Sequence, residues 1–222
     1  MNEKTISRRR FFKVAGLALG GATVACCGLG YAASQAAPKP QAGQIETPDF
    51  VFGEQDGMKK SVLVAYASRT GSTVGVAAAI GETLAGRGYA VDVKPVSENP
   101  DPAAYDLVIV GSAVNGGQWL PEAIEFTRDH QQALHIKPAA VFCVHIMNLG
   151  DGETSRKNRA AYLEGVRALV TPVDEAFFAG MGANPQDTSP ILRWILRTFN
   201  IMPEGDCRDW TKIRAWALTV FA

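Results

Sequence analysis

The chain has 222 residues, 47% hydrophobic and 20% charged, enough for one well-filled α/β domain plus an extra segment. Its formal charge of zero hides an asymmetry: residues 1–36 hold Lys4, Arg8, Arg9, Arg10 and Lys13 against Glu3, so 17 of the 22 basic and 21 of the 22 acidic residues lie beyond them, a net of −4. That mildly acidic remainder has no basic run interleaved with aromatics, which argues against nucleic acid as a partner.

The N-terminus reads as an address. Ser7-Arg8-Arg9-Arg10-Phe11-Phe12-Lys13 fits the twin-arginine export pattern at every position, and a weakly apolar Gly/Ala-rich segment, Val14 to Ala33, follows. The translocase of that route is therefore an expected partner, and the destination periplasmic or extracytoplasmic. Ser34-Gln35-Ala36 offers a small-x-small cleavage site. Thr23-Val24-Ala25-Cys26 is a poorer match to a lipidation signal at Cys26, and an uncleaved anchor is the third outcome. Twin-arginine cargo crosses the membrane folded, often because a cofactor is inserted first. Cys143 and Cys207 are the two cysteines outside the signal, read either as a bridge or as two unrelated buried thiols.

Residues 37–60, rich in Pro, Gly and polar groups, read as a tether. From Ser61 the pattern predicts strand 61–67, helix 72–86, strand 90–96, strand 106–112, helix 119–132, strand 138–145, helix 153–169, strand 174–181 and a last helix 208–221. Runs that are apolar throughout, such as LVIVG (107–111) and AAVFCV (139–144), suit a parallel sheet buried on both faces. The expected fold is α/β, a flavodoxin-like doubly wound five-stranded parallel sheet in the order 2-1-3-4-5, with a helical insertion before the last helix. In that order a ligand crevice lies at the carboxyl ends of strands 1 and 3, where the winding reverses.

Three loops meet there. The first, Ser68-Arg69-Thr70-Gly71-Ser72-Thr73, has neither the nucleoside-triphosphate nor the dinucleotide glycine pattern. Its hydroxyl groups and helix N-terminal amides suit a phosphate monoester, whereas the plain alternative is a helix cap. The second is Ser112-Ala113-Val114-Asn115-Gly116-Gly117-Gln118-Trp119, where Gly116 and Gly117 allow backbone amides close approach to a ligand. Trp119 reads either as a ligand contact or as packing for the following helix. The third, Val144-His145-Ile146-Met147-Asn148-Leu149-Gly150, brings His145, an acceptor or proton carrier. The three histidines show no metal-ligand spacing.

On Ser68, Thr70, Gly71 and Thr73 the chain resembles the flavodoxin family, whose [ST]-x-T-G-x-T loop surrounds the phosphate of flavin mononucleotide (FMN). The resemblance implies FMN as cofactor, with the second and third loops on either side of its ring: Ala113 to Gly117 and Trp119 on one, Val144 to Met147 on the other. The stretch GSAVNGG, the helix Glu122 to Phe126, an extended segment between Gly182 and Arg208 and Asp209-Trp210 further resemble menaquinone-dependent protoporphyrinogen dehydrogenase. That likeness implies an FMN-dependent oxidoreductase passing electrons between a donor left open and a quinone or other carrier. A flavodoxin-type electron-transfer module without a substrate of its own is the alternative. In the 183–206 segment, Arg193 and Arg197 stand one helical turn apart among large apolar groups. It reads as a helix packed on the core, a flap, or a surface meeting a membrane or quinone.

Overall fold

The computed structural model describes residues 47–53, 60–182 and 203–222, together with residues 189, 191, 194 and 198. The signal at 1–36, most of the tether, Arg193, Arg197 and most of the 183–206 segment lie outside the described residues.

Among the described residues seven strands form the sheet: β1 (Phe50–Phe52), β2 (Ser61–Ala67), β3 (Ala90–Pro95), β4 (Leu107–Asn115), β5 (Gln118–Trp119), β6 (Ala139–His145) and β7 (Asp174–Ala179). Their order is β1-β3-β2-β4-β6-β7, with β5 paired to β4 alone. The parallel part, β3-β2-β4-β6-β7, has the expected flavodoxin-like order. Between the strands run α1 (Ser72–Gly86), α2 (Pro121–Asp129), α3 (Gln131–Ile136), α4 (Glu153–Ala161) and α5 (Glu164–Arg167), and α6 (Trp210–Thr219) closes the chain.

Side-chain alternation divides the core in two. Val62, Val64 and Tyr66 of β2 pack with Phe142 and Val144 of β6 against α1 and α6. Leu63 and Ala65 pack with Val141 and Cys143 against α2 and Val166 of α5 on the other face. Strands buried on both faces need helices on both, which is why their sequences are apolar throughout. In β4, Gly111 lies opposite Phe142, and a Cβ at Gly111 would sit 2.0 Å from that ring. The glycine is what lets the ring cross the strand.

The last helix, expected at 208–221, spans Trp210–Thr219, and the last strand, expected at 174–181, ends at Ala179; the other main departures each have a local reason. The tether contains β1, which pairs antiparallel with β3 and sets Phe50 and Phe52 against the core. Tyr66 Oη also donates to the Pro48 carbonyl at 3.0 Å. Three residues suffice because they cover an otherwise open sheet edge. The helix expected at 119–132 starts at Pro121, since Gln118 and Trp119 are held in β5, and it breaks at His130 before α3. The helix expected at 153–169 breaks at Tyr162 and Leu163, both pulled into the core. Strand β4 runs to Asn115 rather than Ser112, which reshapes the second loop.

Candidate functional site

The site lies at the carboxyl ends of β2, β4 and β6, where β2, with β3 on one side and β4 on the other, marks the reversal of winding. The first loop is braced from within: Ser68 Oγ accepts a hydrogen bond from the Gly71 amide at 3.1 Å. Gly71 holds φ +83°, a left-handed conformation that favours glycine, and it turns the chain into α1. No side chain caps α1 and no acidic residue lies in its first turn, so the positive end of the helix is left without an internal anion. Ser72 and Thr73 are buried there, while Arg69 and Thr70 are exposed. Thr73 Oγ1 is the single buried side-chain polar atom among the described residues with no hydrogen-bond partner. Such an atom costs about 1–3 kcal/mol if nothing pairs with it.

A cleft of about 240 Å³ opens at this point. Arg69, Thr70 and Ser72 line it from the first loop, and Ala113, Val114 and Asn115 from the end of β4. Val144, His145 and Ile146 close the facing side, with Gly180, Met181 and Gly182 beyond β7. The last three carry no sequence signal of a site. They are placed there by a clasp in which the Cys207 amide donates to the Gly180 carbonyl at 3.1 Å and the Gly182 amide to the Gly205 carbonyl at 2.8 Å.

Gly116 and Gly117 do not line the cleft. They form the two-residue tip of the β4–β5 hairpin, with φ +61° and +82°, between the paired residues Asn115 and Gln118. Two left-handed residues match the twist of a tight hairpin, which accounts for glycine at both positions of the turn. Trp119 is packed in the core, 3% exposed, and donates from Nε1 to Cys143 Sγ at 2.9 Å, as its packing reading expects. Ser112 is buried beside it and accepts from the Leu120 amide at 3.0 Å, anchoring the return of the hairpin. Met147 lies outside the lining, and its carbonyl rather than its side chain takes part in the site.

His145 is buried, and its Nδ1 donates to the Met147 carbonyl at 2.7 Å. Burial drives its pKa down from 6.5 to about 4, with Arg159 and Lys212 pushing the same way and the Met147 hydrogen bond opposing. The imidazole is therefore neutral at pH 7, with Nδ1 protonated and Nε2 left as an acceptor. Arg159 holds the same loop, donating from Nη1 to the Asn148 carbonyl at 2.6 Å and the Gly150 carbonyl at 2.5 Å. Cys143 and Cys207 are both free thiols. Among the described residues no cluster of His, Cys, Asp or Glu could hold a metal, and no helix is long and apolar enough to cross a membrane.

These features define a doubly wound α/β domain with a cleft at the uncapped start of its first crossover helix. Residues 63–186 match the flavodoxin domain family, and the chain belongs to that family. FMN is that family's cofactor. Similar solved structures include a flavodoxin from the domain Archaea (15% identity, 72% of this chain and 95% of that one, TM-score 0.47). The two-electron reduced flavodoxin of Megasphaera elsdenii is another (21% identity, 52% and 84%, TM-score 0.41). A third is a flavoprotein in complex with FMN from Lactobacillus acidophilus NCFM (15% identity, 54% and 93%, TM-score 0.39). No curated protein matches the chain.

The residues present fit FMN. An uncapped helix N-terminus with an unpartnered buried hydroxyl suits its phosphate, and the walls at Val114 and Ile146 offer apolar surface for its ring.

Proposed function

We propose that this chain is an exported FMN-dependent redox protein, passing electrons between a donor and a quinone or other carrier. The observation that carries the reading is the unpartnered Thr73 hydroxyl, buried behind the lining at the uncapped start of α1, next in the chain to Ser72, which does line the cleft at the switch point of the sheet. The amides of the first turn and Thr73 Oγ1 would hold the phosphate. Ala113 to Asn115 and Val144 to Ile146 would flank the ring and keep water from it. When bound, FMN supplies the electron chemistry, and the chain's part is orientation and electrostatics. The likeness to menaquinone-dependent protoporphyrinogen dehydrogenase supports a quinone as acceptor, and the twin-arginine pattern supports export.

Native protein purified from its own cells should be yellow, with one FMN per chain, and colourless protein that takes up no FMN contradicts the reading. Changing Arg8 and Arg9 to Lys should strand the precursor in the cytoplasm, and normal secretion of that variant contradicts export.

A second reading is an electron carrier without its own substrate. It is supported by the cleft lining, which offers no carboxylate among the described residues and one imidazole already held neutral. Reduction of a soluble quinone by the FMN-loaded protein, with dithionite-reduced protein as the electron source, separates the two: saturation with quinone at a rate above that of free reduced FMN supports the first reading, and a rate linear in quinone and no faster than free reduced FMN supports the carrier.

A further inference from the structure

A second cavity, of about 300 Å³, adjoins the cleft, and His145 lines both. Leu149, Phe177 and Ala179 give it apolar walls, and Arg159 and Lys212 bring two positive charges to it. The charges are poorly matched where they are buried. The Arg159 side chain is 13% exposed, and its Nη1 is spent on the carbonyls of Asn148 and Gly150. Its ion-pair partner among the described residues, Asp151, lies 3.9 Å from Nη2 and is 96% exposed. So long and wet a pair falls well short of what burying a guanidinium costs. Lys212 Nζ has no partner among the described residues, and the exposed Asp209 is held on the Lys212 amide at 3.0 Å as the cap of α6. The field at the shared wall is accordingly positive: after burial, it is the charges of Arg159 and Lys212 that press the His145 pKa down, and no carboxylate acts against them.

We infer that this cavity is a binding site for a small monocarboxylate with an apolar body, held by Arg159 and Lys212 through its carboxylate and by Leu149 and Phe177 through its body. A largely buried cation without a full counter-charge gains most from an anion that brings charge-assisted hydrogen bonds and displaces water. Asp151 and Asp209 repel a second negative charge, which favours a carboxylate over a phosphate dianion. The apolar walls favour a ring or a branched chain over a bare inorganic anion. The site is separate from the start of α1, and the inference holds whatever the neighbouring cleft contains.

The probe is benzoate, with benzamide as its neutral counterpart, titrated calorimetrically into the full chain as purified. Benzoate should bind at one site per chain, about tenfold or more tighter than benzamide, and Lys212→Met should weaken it about tenfold. Lys212 is exposed, with its Nζ unpaired, so this variant leaves the fold intact. Position is read from Cys207, a free and half-buried thiol that lines this cavity and not the cleft. Saturating benzoate should slow its alkylation in the wild type. Absence of benzoate binding, equal affinity for benzamide, an affinity unmoved in Lys212→Met, or Cys207 alkylation unchanged by benzoate overturns the inference. Displacement of bound FMN by benzoate overturns it too, by placing the probe in the cleft. FMN content is measured independently of benzoate binding, so loss of either reading leaves the other standing.

Discussion

Trp119 and Cys143 are joined by a 2.9 Å hydrogen bond from indole Nε1 to Sγ, with both side chains buried on the same face of the sheet. The bond ties the short hairpin strand β5 to β6 and fixes where the second wall of the cleft turns back. Burial also pushes the Cys143 thiol up to about 12, although the indole donor acts the other way. A thiol with that pKa carries almost no thiolate at pH 8. Alkylation of native protein at pH 8, read by peptide mass mapping, should therefore label Cys207 and spare Cys143, and urea should open both to the reagent. Trp119→Ala should expose Cys143 to labelling and cost about 3–5 kcal/mol in urea unfolding.

Thr73→Val keeps the shape of the buried side chain and removes the unpartnered hydroxyl. Stability of the apoprotein should hold or rise slightly, because an unsatisfied polar atom is replaced by an apolar one. Affinity for FMN should fall about tenfold or more, the worth of a hydrogen bond to a charged phosphate at about 1.5–3 kcal/mol. Thermal melts of the apoprotein and FMN titrations of both proteins check the two signs separately. Equal FMN affinity in Thr73→Val would remove Thr73 from the site.

His145 makes stability depend on pH. Its folded pKa of about 4 lies below the unfolded value of 6.5, so between these the unfolded chain binds the extra proton. The contribution is complete above pH 6.5 and is lost as pH falls towards 4, by up to about 3 kcal/mol. Urea unfolding at pH 7 and pH 4.5 should show this loss in the wild type. His145→Asn should lose less over the same interval, and identical pH slopes for the two proteins would contradict the assignment.

Gly111→Ala tests the packing of the central strand. The added methyl would meet the Phe142 ring, which is fully buried and already in contact with the rings of Phe178 and Trp216. A cost of about 3 kcal/mol is expected. In a Phe142→Leu background the same substitution should cost less, and a double-mutant cycle of unfolding free energies reads the difference.

Much of this architecture was legible in the chain because its strands are buried on both faces and its first helix has sharp ends. The expected bounds of β2 and α1, 61–67 and 72–86, coincide with those observed. Placing the site at the first crossover followed from strand order alone, and the first and third loops do meet across the cleft. The second loop was harder. Two adjacent glycines suit both a ligand approach and a hairpin tip, and the antiparallel pairing of Val114 with Trp119 that makes them a tip leaves no composition signal. Strand β1 escaped notice because three apolar residues in a Pro/Gly-rich stretch show too little period to read. Gly180 to Gly182 enter the lining through long-range backbone pairing with 205–207, which no local pattern announces.

We propose that the loop from Ser68 to Thr73 and the start of α1 hold the phosphate of FMN. Titrating the apoprotein with FMN and with riboflavin, which lacks only the phosphate, tests it most directly. One FMN should bind per chain, with riboflavin about a hundredfold weaker or worse, given two or more charge-assisted hydrogen bonds lost. Riboflavin binding as tight as FMN, or no binding of either, would contradict that placement of the phosphate.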